Sequence, residues 1–99
     1  MHKLVVLYPQ PADPDHFRRY YVDTHLPLAV KMPGILDFRY SFEVGGDTEY
    51  FAVFEADFAD AGAMGAALSS PEGAAALADI PNYATGGSVA INYPVTPGR

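Results

Sequence analysis

The chain has 99 residues and a formal net charge of −6. Six lysines and arginines are too few for a nucleic-acid surface, and an acidic chain is poorly suited to binding an anionic membrane. The sequence contains no cysteine, which excludes disulfides, thiolate nucleophiles and cysteine-ligated metals and favours a cytoplasmic location.

The length predicts a single domain that spans residues 1–99. Hydrophobic residues make up 49% of the chain, including seven tyrosines and six phenylalanines. A domain this small buries a limited share of its surface, so this is more apolar material than one core needs. The surplus predicts a subunit interface, an apolar cavity, or both.

The first predicted element is a strand over Lys3–Tyr8, followed by a proline-rich loop. Asp13 suits the N-cap of a helix, and Pro14 suits its first position. That helix is expected to run to about Thr24, and a shorter helical piece is expected to reach Met32.

Pro27 interrupts this helical pattern. It lacks a backbone donor and disfavours helical dihedrals at Leu26, so it predicts a kink, or a stop and restart of the helix. His25 lies at this joint and has a side chain suited to proton transfer near neutral pH. Asp23 lies two residues before His25, so on a regular helix the two side chains point to different sides.

Ile35–Val44 alternates apolar and polar side chains and predicts a strand. Gly45–Asp47 predicts a hairpin turn that leads into a return strand over Glu49–Ala56. Phe51 and Val53 are expected on one face of this return strand.

Two helices and a strand complete the pattern. Asp57 is expected to cap a helix over Phe58–Leu68, and Ser70 to cap a second helix that begins at Pro71. Ser88–Tyr93 predicts the last strand. Three helical glycines are expected to permit close packing on the sheet: Gly62, Gly65 and Gly73.

The predicted order, βαββαβ, is that of an α+β ferredoxin-like fold. Its four-stranded antiparallel sheet carries helices on one face and leaves the other face open. An aromatic open face predicts a second copy packed sheet to sheet, which gives a two-fold dimeric α+β barrel with a pocket in each half. We therefore expect a homodimer.

The chain resembles the EthD-like family over nearly its whole length. The resemblance rests on Tyr8-Pro9, on the helix Phe17–Tyr21 followed by His25–Leu28, on Pro33-Gly34, and on the segments Ser70–Gly73 and Ala78–Tyr83. This family is named for bacterial degradation of ethyl tert-butyl ether. The resemblance implies a small bacterial dimer, related in fold to cofactor-free monooxygenases, muconolactone isomerases and haem-degrading monooxygenases.

His25 is the leading candidate for a general acid or base at the mouth of the barrel. Its alternative role is structural, as a partner for a carbonyl freed by Pro27. Tyr8 and Tyr40 are expected to donate to a substrate oxygen, although core packing is the usual role of any tyrosine. Two aromatic residues of the first helix, Phe17 and Tyr21, are expected to line the pocket.

Arg39 lies on the polar side of the second strand. It binds an anionic substrate group if that side faces the pocket, and it pairs with Asp37 if that side faces solvent. The sequence has no spacing typical of a metal site and no phosphate-binding loop, so no metal and no cofactor are expected.

These observations favour a cofactor-independent oxidoreductase or isomerase that acts on a small apolar or aromatic compound. Two alternatives use the same fold. One is a non-catalytic accessory or carrier protein for a small metabolite, and the other is a structural dimer whose interior is filled.

Overall fold

The computed structural model describes residues 1–99 and has the predicted βαββαβ order. The strands are β1 (His2–Pro9), β2 (Asp37–Ser41), β3 (Tyr50–Phe58) and β4 (Val89–Pro94). They form one sheet in the order β2-β3-β1-β4, and every neighbouring pair is antiparallel. The ferredoxin-like prediction is therefore confirmed.

The helices cover one face of the sheet. They are α1 (Pro14–Tyr20), a π turn (Tyr21–His25), α2 (Leu26–Ala29), α3 (Ala61–Ser69), α4 (Pro71–Asp79) and a 3₁₀ turn (Ile80–Asn82). Side chains of β1 and β3 that point toward them, such as Leu4, Val6 and Phe54, join them in one core. No helix has the length and hydrophobicity needed to span a bilayer.

Asp13 caps α1 as predicted, because its carboxylate accepts a hydrogen bond from the His16 backbone N–H at 3.1 Å. The joint at Pro27 takes the form of a π turn that leads directly into α2. Leu26 keeps helical dihedrals (φ −57°, ψ −42°), so the expectation that Pro27 expels it from the helical region is wrong. The wider π turn gives the proline ring room beside the preceding turn.

The π turn also keeps one row of side chains buried. Phe17, Tyr21, His25 and Ala29 follow one another at four-residue spacing, and all four are buried. In a regular α-helix, residues four apart are offset by about 40°, so a longer row of this kind winds away from the sheet. The wider π turn opposes this drift and brings His25 back over the sheet.

β2 is shorter than Ile35–Val44, because the chain leaves the sheet after Ser41. The Phe42 ring instead packs edge-on against the rings of Phe17 and Tyr21. The connection to β3 is therefore an eight-residue loop over residues 42–49 rather than a tight hairpin, with Gly46 at a φ of +99°.

β3 corrects two further expectations. Its register against β1 skips Phe51, and at this bulge the Phe51 ring turns to the helix side, 5.2 Å from Phe17. The strand continues to Phe58, so Asp57 lies within the sheet and does not cap a helix. Asp60 caps α3 instead by accepting the Ala63 N–H at 2.7 Å.

Only one of the three helical glycines is needed for close packing. Ser70 caps α4 as predicted, and its hydroxyl accepts the Gly73 N–H at 3.0 Å. A Cβ on Gly73 would overlap the Ala67 carbonyl oxygen and lie 2.7 Å from that of Leu68. The close neighbour is thus the end of α3 and not the sheet, while a Cβ on Gly65 would meet nothing.

We predict opposite effects for alanine at these two glycines. Gly73→Ala forces α3 and α4 apart and should lower the free energy of unfolding by about 1–3 kcal/mol or more. Gly65→Ala should raise it by up to about 1 kcal/mol, because alanine is the better helix former. Urea unfolding of both variants checks this, and equal stabilities would contradict the helix contact described here.

The sheet face turned away from the helices, here called the open face, has two zones. A charged zone contains Lys3, Asp37, Arg39, Glu55 and Asp57. An apolar zone contains Val5, Leu7, Val53, Val89 and Ile91, which follow the alternate residues of β1, β3 and β4. Val89 and Ile91 are 40% and 45% exposed on the edge strand.

Candidate functional site

His25 and Asp79 form a buried pair between the helices and the sheet. The π turn places the imidazole, and the last residue of α4 places the carboxylate. The His25 Nδ1 and the Asp79 Oδ2 are 2.9 Å apart, and the two residues are only 4% and 8% exposed. His25 therefore lies inside one protomer and not at the mouth of a chamber between two sheets, which corrects the expected location.

The Asp79 carboxylate accepts two more hydrogen bonds through its other oxygen. The Tyr20 hydroxyl donates to Oδ1 at 2.5 Å, and the Asn82 side-chain amide donates to it at 3.0 Å. Three donors from three segments thus surround one buried carboxylate. Such charge-assisted bonds compensate for the hydration that the carboxylate loses on burial.

These contacts define the protonation state of the pair. Burial alone would raise the pKa of Asp79, but hydrogen bonds from Tyr20, Asn82 and His25 outweigh it and hold that pKa below its usual value. Burial lowers the pKa of His25 below its usual value, although the Asp79 carboxylate acts in the opposite direction. At neutral pH the pair is a carboxylate beside a neutral imidazole.

An ionised carboxylate only accepts hydrogen bonds, so the His25 Nδ1 carries the proton and Nε2 carries the lone pair. Nε2 has no hydrogen-bond partner within the chain, and no fully buried side-chain nitrogen or oxygen lacks one. Nε2 therefore retains accessible surface. A carboxylate that orients an imidazole and leaves its second nitrogen free is an arrangement suited to a general base.

Three phenols meet beside the imidazole. The Tyr8 hydroxyl lies 2.9 Å from that of Tyr83 and 3.4 Å from that of Tyr21. The rings of Tyr83 and Tyr21 contact the His25 ring, with centroid distances of 4.6 Å and 5.1 Å. Burial raises the pKa of all three phenols, so they remain protonated and can donate hydrogen bonds at neutral pH.

A cavity of about 40 Å³ opens next to these groups. Ten of its twelve lining residues are hydrophobic, and they include Val6, Met32 and Ile80. His25 and Tyr8 are the two lining residues whose side chains carry nitrogen or oxygen atoms. Leu77 also lines the cavity and is 51% exposed, so it lies where the cavity meets the protein surface.

Arg39 lies on the open face, across the sheet from this cavity. Its guanidinium donates to Asp57 at 2.7 Å and approaches Asp37 and Glu55 at 3.4 Å. Asp57 and, to a smaller extent, Asp37 raise the pKa of Arg39, and Arg39 lowers the pKa of Asp57. Arg39 therefore pairs with carboxylates, which is the role expected if its side of the strand faces away from the pocket. Since the sheet separates Arg39 from His25, the two residues do not line the same pocket.

The structure brings together most of the residues singled out in the sequence. Tyr8 and His25 line the cavity. Phe17 and Tyr21 do not line it, contrary to expectation, and instead pack against Tyr8 at ring distances of 5.3 Å and 5.6 Å. Tyr40 does not line the cavity: it is 40% exposed, and its ring lies 5.9 Å from that of Tyr21 and 5.5 Å from that of Phe42.

Sequence reasoning missed Asp79, Tyr20, Asn82 and Tyr83 as parts of the site. The segment Ala78–Tyr83, on which part of the family resemblance rests, contains Asp79, Asn82 and Tyr83. That resemblance was the one feature of the sequence that could have identified them as site residues. Two partners of Asp79, Tyr20 and His25, lie 59 and 54 positions away along the chain, so spacing alone could not connect them. No group of three histidine, aspartate or glutamate side chains converges on a position where a metal ion could bind.

We predict that His25 has the Nδ1–H tautomer at pH 7 and a pKa below 6.5, because burial disfavours the imidazolium. Asp79→Asn removes the charge that raises this pKa, so the pKa should fall further. An amide that points its N–H group at Nδ1 should also shift the proton to Nε2.

Nitrogen NMR of the labelled imidazole measures both properties across a pH titration. Asp15→Asn is the matched control, because Asp15 is exposed and pairs only with Arg18 one turn away. A wild-type Nε2–H tautomer, or a pKa at or above 6.5, would contradict this description of the pair.

Comparison with known proteins agrees with the fold and the residue pattern. Residues 9–87 match the EthD domain. An uncharacterized 11.0 kDa protein from the thcB-thcC intergenic region of Rhodococcus erythropolis is 32% identical over 90 residues, which are 88% of this chain and 87% of that protein.

Solved structures show the same architecture. An ethyl tert-butyl ether degradation (EthD) family protein from Bacillus halodurans superposes with a TM-score of 0.89 at 28% identity, covering 97% of this chain and 99% of that one. A dimeric ferredoxin-like protein of unknown function from Thermobifida fusca (TM-score 0.74, 17% identity, 95% and 90% coverage) shares the fold. SnoaB, a cofactor-independent oxygenase from Streptomyces nogalater, also shares it (TM-score 0.71, 16% identity, 97% and 93% coverage). With residues 9–87 matched to its domain, this chain belongs to the EthD family.

Proposed function

We propose that this protein is a cofactor-independent enzyme, an oxidoreductase or isomerase, that removes a proton from a small apolar or aromatic compound. The observation that carries the proposal is the buried Asp79–His25 pair, which leaves one imidazole nitrogen unpaired beside an apolar cavity. SnoaB gives it support at the level of fold only, as a cofactor-independent oxygenase of similar architecture.

In this proposal the His25 Nε2 takes a proton from a carbon or hydroxyl group of the bound compound. The bond to hydrogen breaks, an N–H bond forms, and the electron pair stays on the compound as an enolate or phenolate. Asp79 stabilises the resulting imidazolium, and the Tyr8 hydroxyl donates a hydrogen bond to the new oxyanion. The apolar lining excludes water, which strengthens both interactions.

Two outcomes can follow from this anion. In an isomerisation, the imidazolium returns the proton to a different carbon. In an oxygenation, the electron-rich anion gives electrons to dioxygen, the second substrate, and a carbon–oxygen bond forms. The O–O bond of this peroxide then breaks, one oxygen leaves as water with the two hydrogens of the carbon, and the carbon becomes a carbonyl. The cavity of about 40 Å³ suits only a few heavy atoms, so a ring compound would enter by displacing exposed side chains at the cavity mouth such as Leu77.

His25→Ala should lower turnover by about 10²–10⁴-fold while the fold remains intact, because the general base is lost. A panel of phenols, hydroquinones and lactones, with product detected by mass spectrometry, provides the assay. His16→Ala is the matched control, since it removes an exposed histidine from the same helical segment. Wild-type turnover in His25→Ala would end the proposal.

The apolar lining of the cavity favours one alternative, a carrier that binds a small metabolite without changing it. A carrier needs the shape of the cavity but not the orientation of His25. Thermal stabilisation by a compound of the panel, with no product and with equal binding to His25→Ala, would favour the carrier.

We also propose that the protein is a homodimer formed through the open face. Val89, Ile91 and Tyr93 expose apolar side chains on that face, and the related Thermobifida fusca protein is described as dimeric. Burial of such a patch against its own copy is a common solution for small domains.

Ile91→Lys should convert the dimer to a monomer, because it places a charge in the exposed part of the apolar zone, which the interface would bury. Val22→Lys is the matched control: Val22 is 43% exposed, close to the 45% of Ile91, but lies in the π turn on the helix side. Size exclusion with light scattering reads out the mass. A wild-type chain that is monomeric at micromolar concentration would contradict the dimer.

A further inference from the structure

We propose that Tyr20 is a positioning residue that acts on both halves of the site, through its hydroxyl on the Asp79–His25 pair and through its ring on Tyr83. This inference rests on the proposed function, because it assigns Tyr20 a role toward the same base and the same phenols. Tyr20 does not line the cavity, so it acts only through other side chains.

The first connection is polar. The Tyr20 hydroxyl donates to Asp79 Oδ1, while the His25 Nδ1–H donates to Oδ2 of the same carboxylate. Each hydrogen bond to a carboxylate reduces the negative charge on its oxygens. Each donor therefore weakens the hydrogen bond that the carboxylate accepts from the other donor. The Tyr20 hydroxyl therefore limits how strongly Asp79 favours the imidazolium and keeps His25 available as a neutral base.

The second connection is through the aromatic rings. The rings of Tyr20 and Tyr83 stack with a centroid distance of 5.8 Å and an interplanar angle of 26°. The Tyr83 hydroxyl reaches that of Tyr8 at 2.9 Å, and Tyr8 lines the cavity. The Tyr20 ring therefore supports the phenol that holds the proposed oxyanion donor in place.

The neighbouring titratable groups are few. Asp79, Tyr21 and Tyr83 contact the imidazole of His25, and Tyr8 lines the cavity beside it. The Tyr20 hydroxyl meets Asp79 and the Asn82 amide, and the His16 ring lies 5.6 Å from the Tyr20 ring. Asp79 is thus the one charged group through which Tyr20 can influence His25.

Two substitutions separate these connections. Tyr20→Phe keeps the ring and removes the donor, whereas Tyr20→Leu removes both. Tyr50→Phe is the matched control, because its hydroxyl makes no hydrogen bond within the chain and it lies on β3, away from α1. Imidazole nitrogen NMR and tyrosine ring carbon NMR on the full chain give the readouts, beside the turnover assay.

Tyr20→Phe should raise the pKa of His25, because the Asp79 carboxylate then accepts one hydrogen bond fewer and stabilises the imidazolium more strongly. The acid limb of the pH–rate profile should move to higher pH with it, turnover at neutral pH should fall about tenfold, and the Tyr83 ring signals should stay in place. Tyr20→Leu should shift the Tyr83 ring signals as well. Tyr50→Phe should leave the His25 and Tyr83 signals unchanged.

A His25 titration in Tyr20→Phe that matches the wild type would overturn the polar connection. Unchanged Tyr83 signals in Tyr20→Leu would overturn the aromatic one. These results are distinguishable from failure of the proposed function, which is tested by turnover of His25→Ala and does not depend on any imidazole pKa.

Discussion

A single buried carboxylate, that of Asp79, determines how the first helical segment joins the end of α4. A buried ion without partners would destabilise the fold, so the chain must bring donors to it from elsewhere. It does so from the end of α1, from the π turn and from the 3₁₀ turn, through Tyr20, His25 and Asn82. The same three bonds tie the first helical segment to the end of α4 and fix the orientation of the imidazole, so stability and chemistry share one set of contacts.

Charge is strongly segregated in this protein. The chain is acidic overall, but no aspartate, glutamate, lysine or arginine lines the cavity. The ion pairs of Lys3 and Arg39 lie across the sheet from it. Inside the cavity, an anion would have only hydroxyl dipoles and an imidazolium to stabilise it. Such surroundings agree with the proposed function, in which a compound enters uncharged and becomes anionic only when His25 takes its proton.

Local chemistry explains why much of the fold was predictable. Asp13 and Ser70 cap helices that begin with proline, and alternation marks the strands, so the order of elements follows from neighbouring residues alone. Where the prediction was wrong, a distant contact decided. Pairing of His2 with Phe58 extends β3 and leaves capping of α3 to Asp60, and the rings of Phe17 and Tyr21 draw Phe42 out of β2.

The site shows the same division. His25 and Tyr8 could be singled out because a histidine beside a helix-breaking proline and a tyrosine at a strand end are visible in the sequence. Asp79 could not be identified as the partner of His25, since 54 positions separate the two and Asp23 was the carboxylate near at hand. The open-face location of Arg39 depends on strand register and on which sheet face the helices cover, and only the folded chain settles both.

The π turn gives chain length in this helix an importance that residue type alone does not have. If the five residues Tyr21–His25 were wound as a regular α-helix, everything on the C-terminal side would rotate by about 100° relative to Phe17. The core could accept new apolar side chains, but the imidazole would leave the carboxylate. Loss of one residue from this turn would cancel that rotation, so a relative with a one-residue gap here would have a regular α-helix that still faces the sheet as this one does.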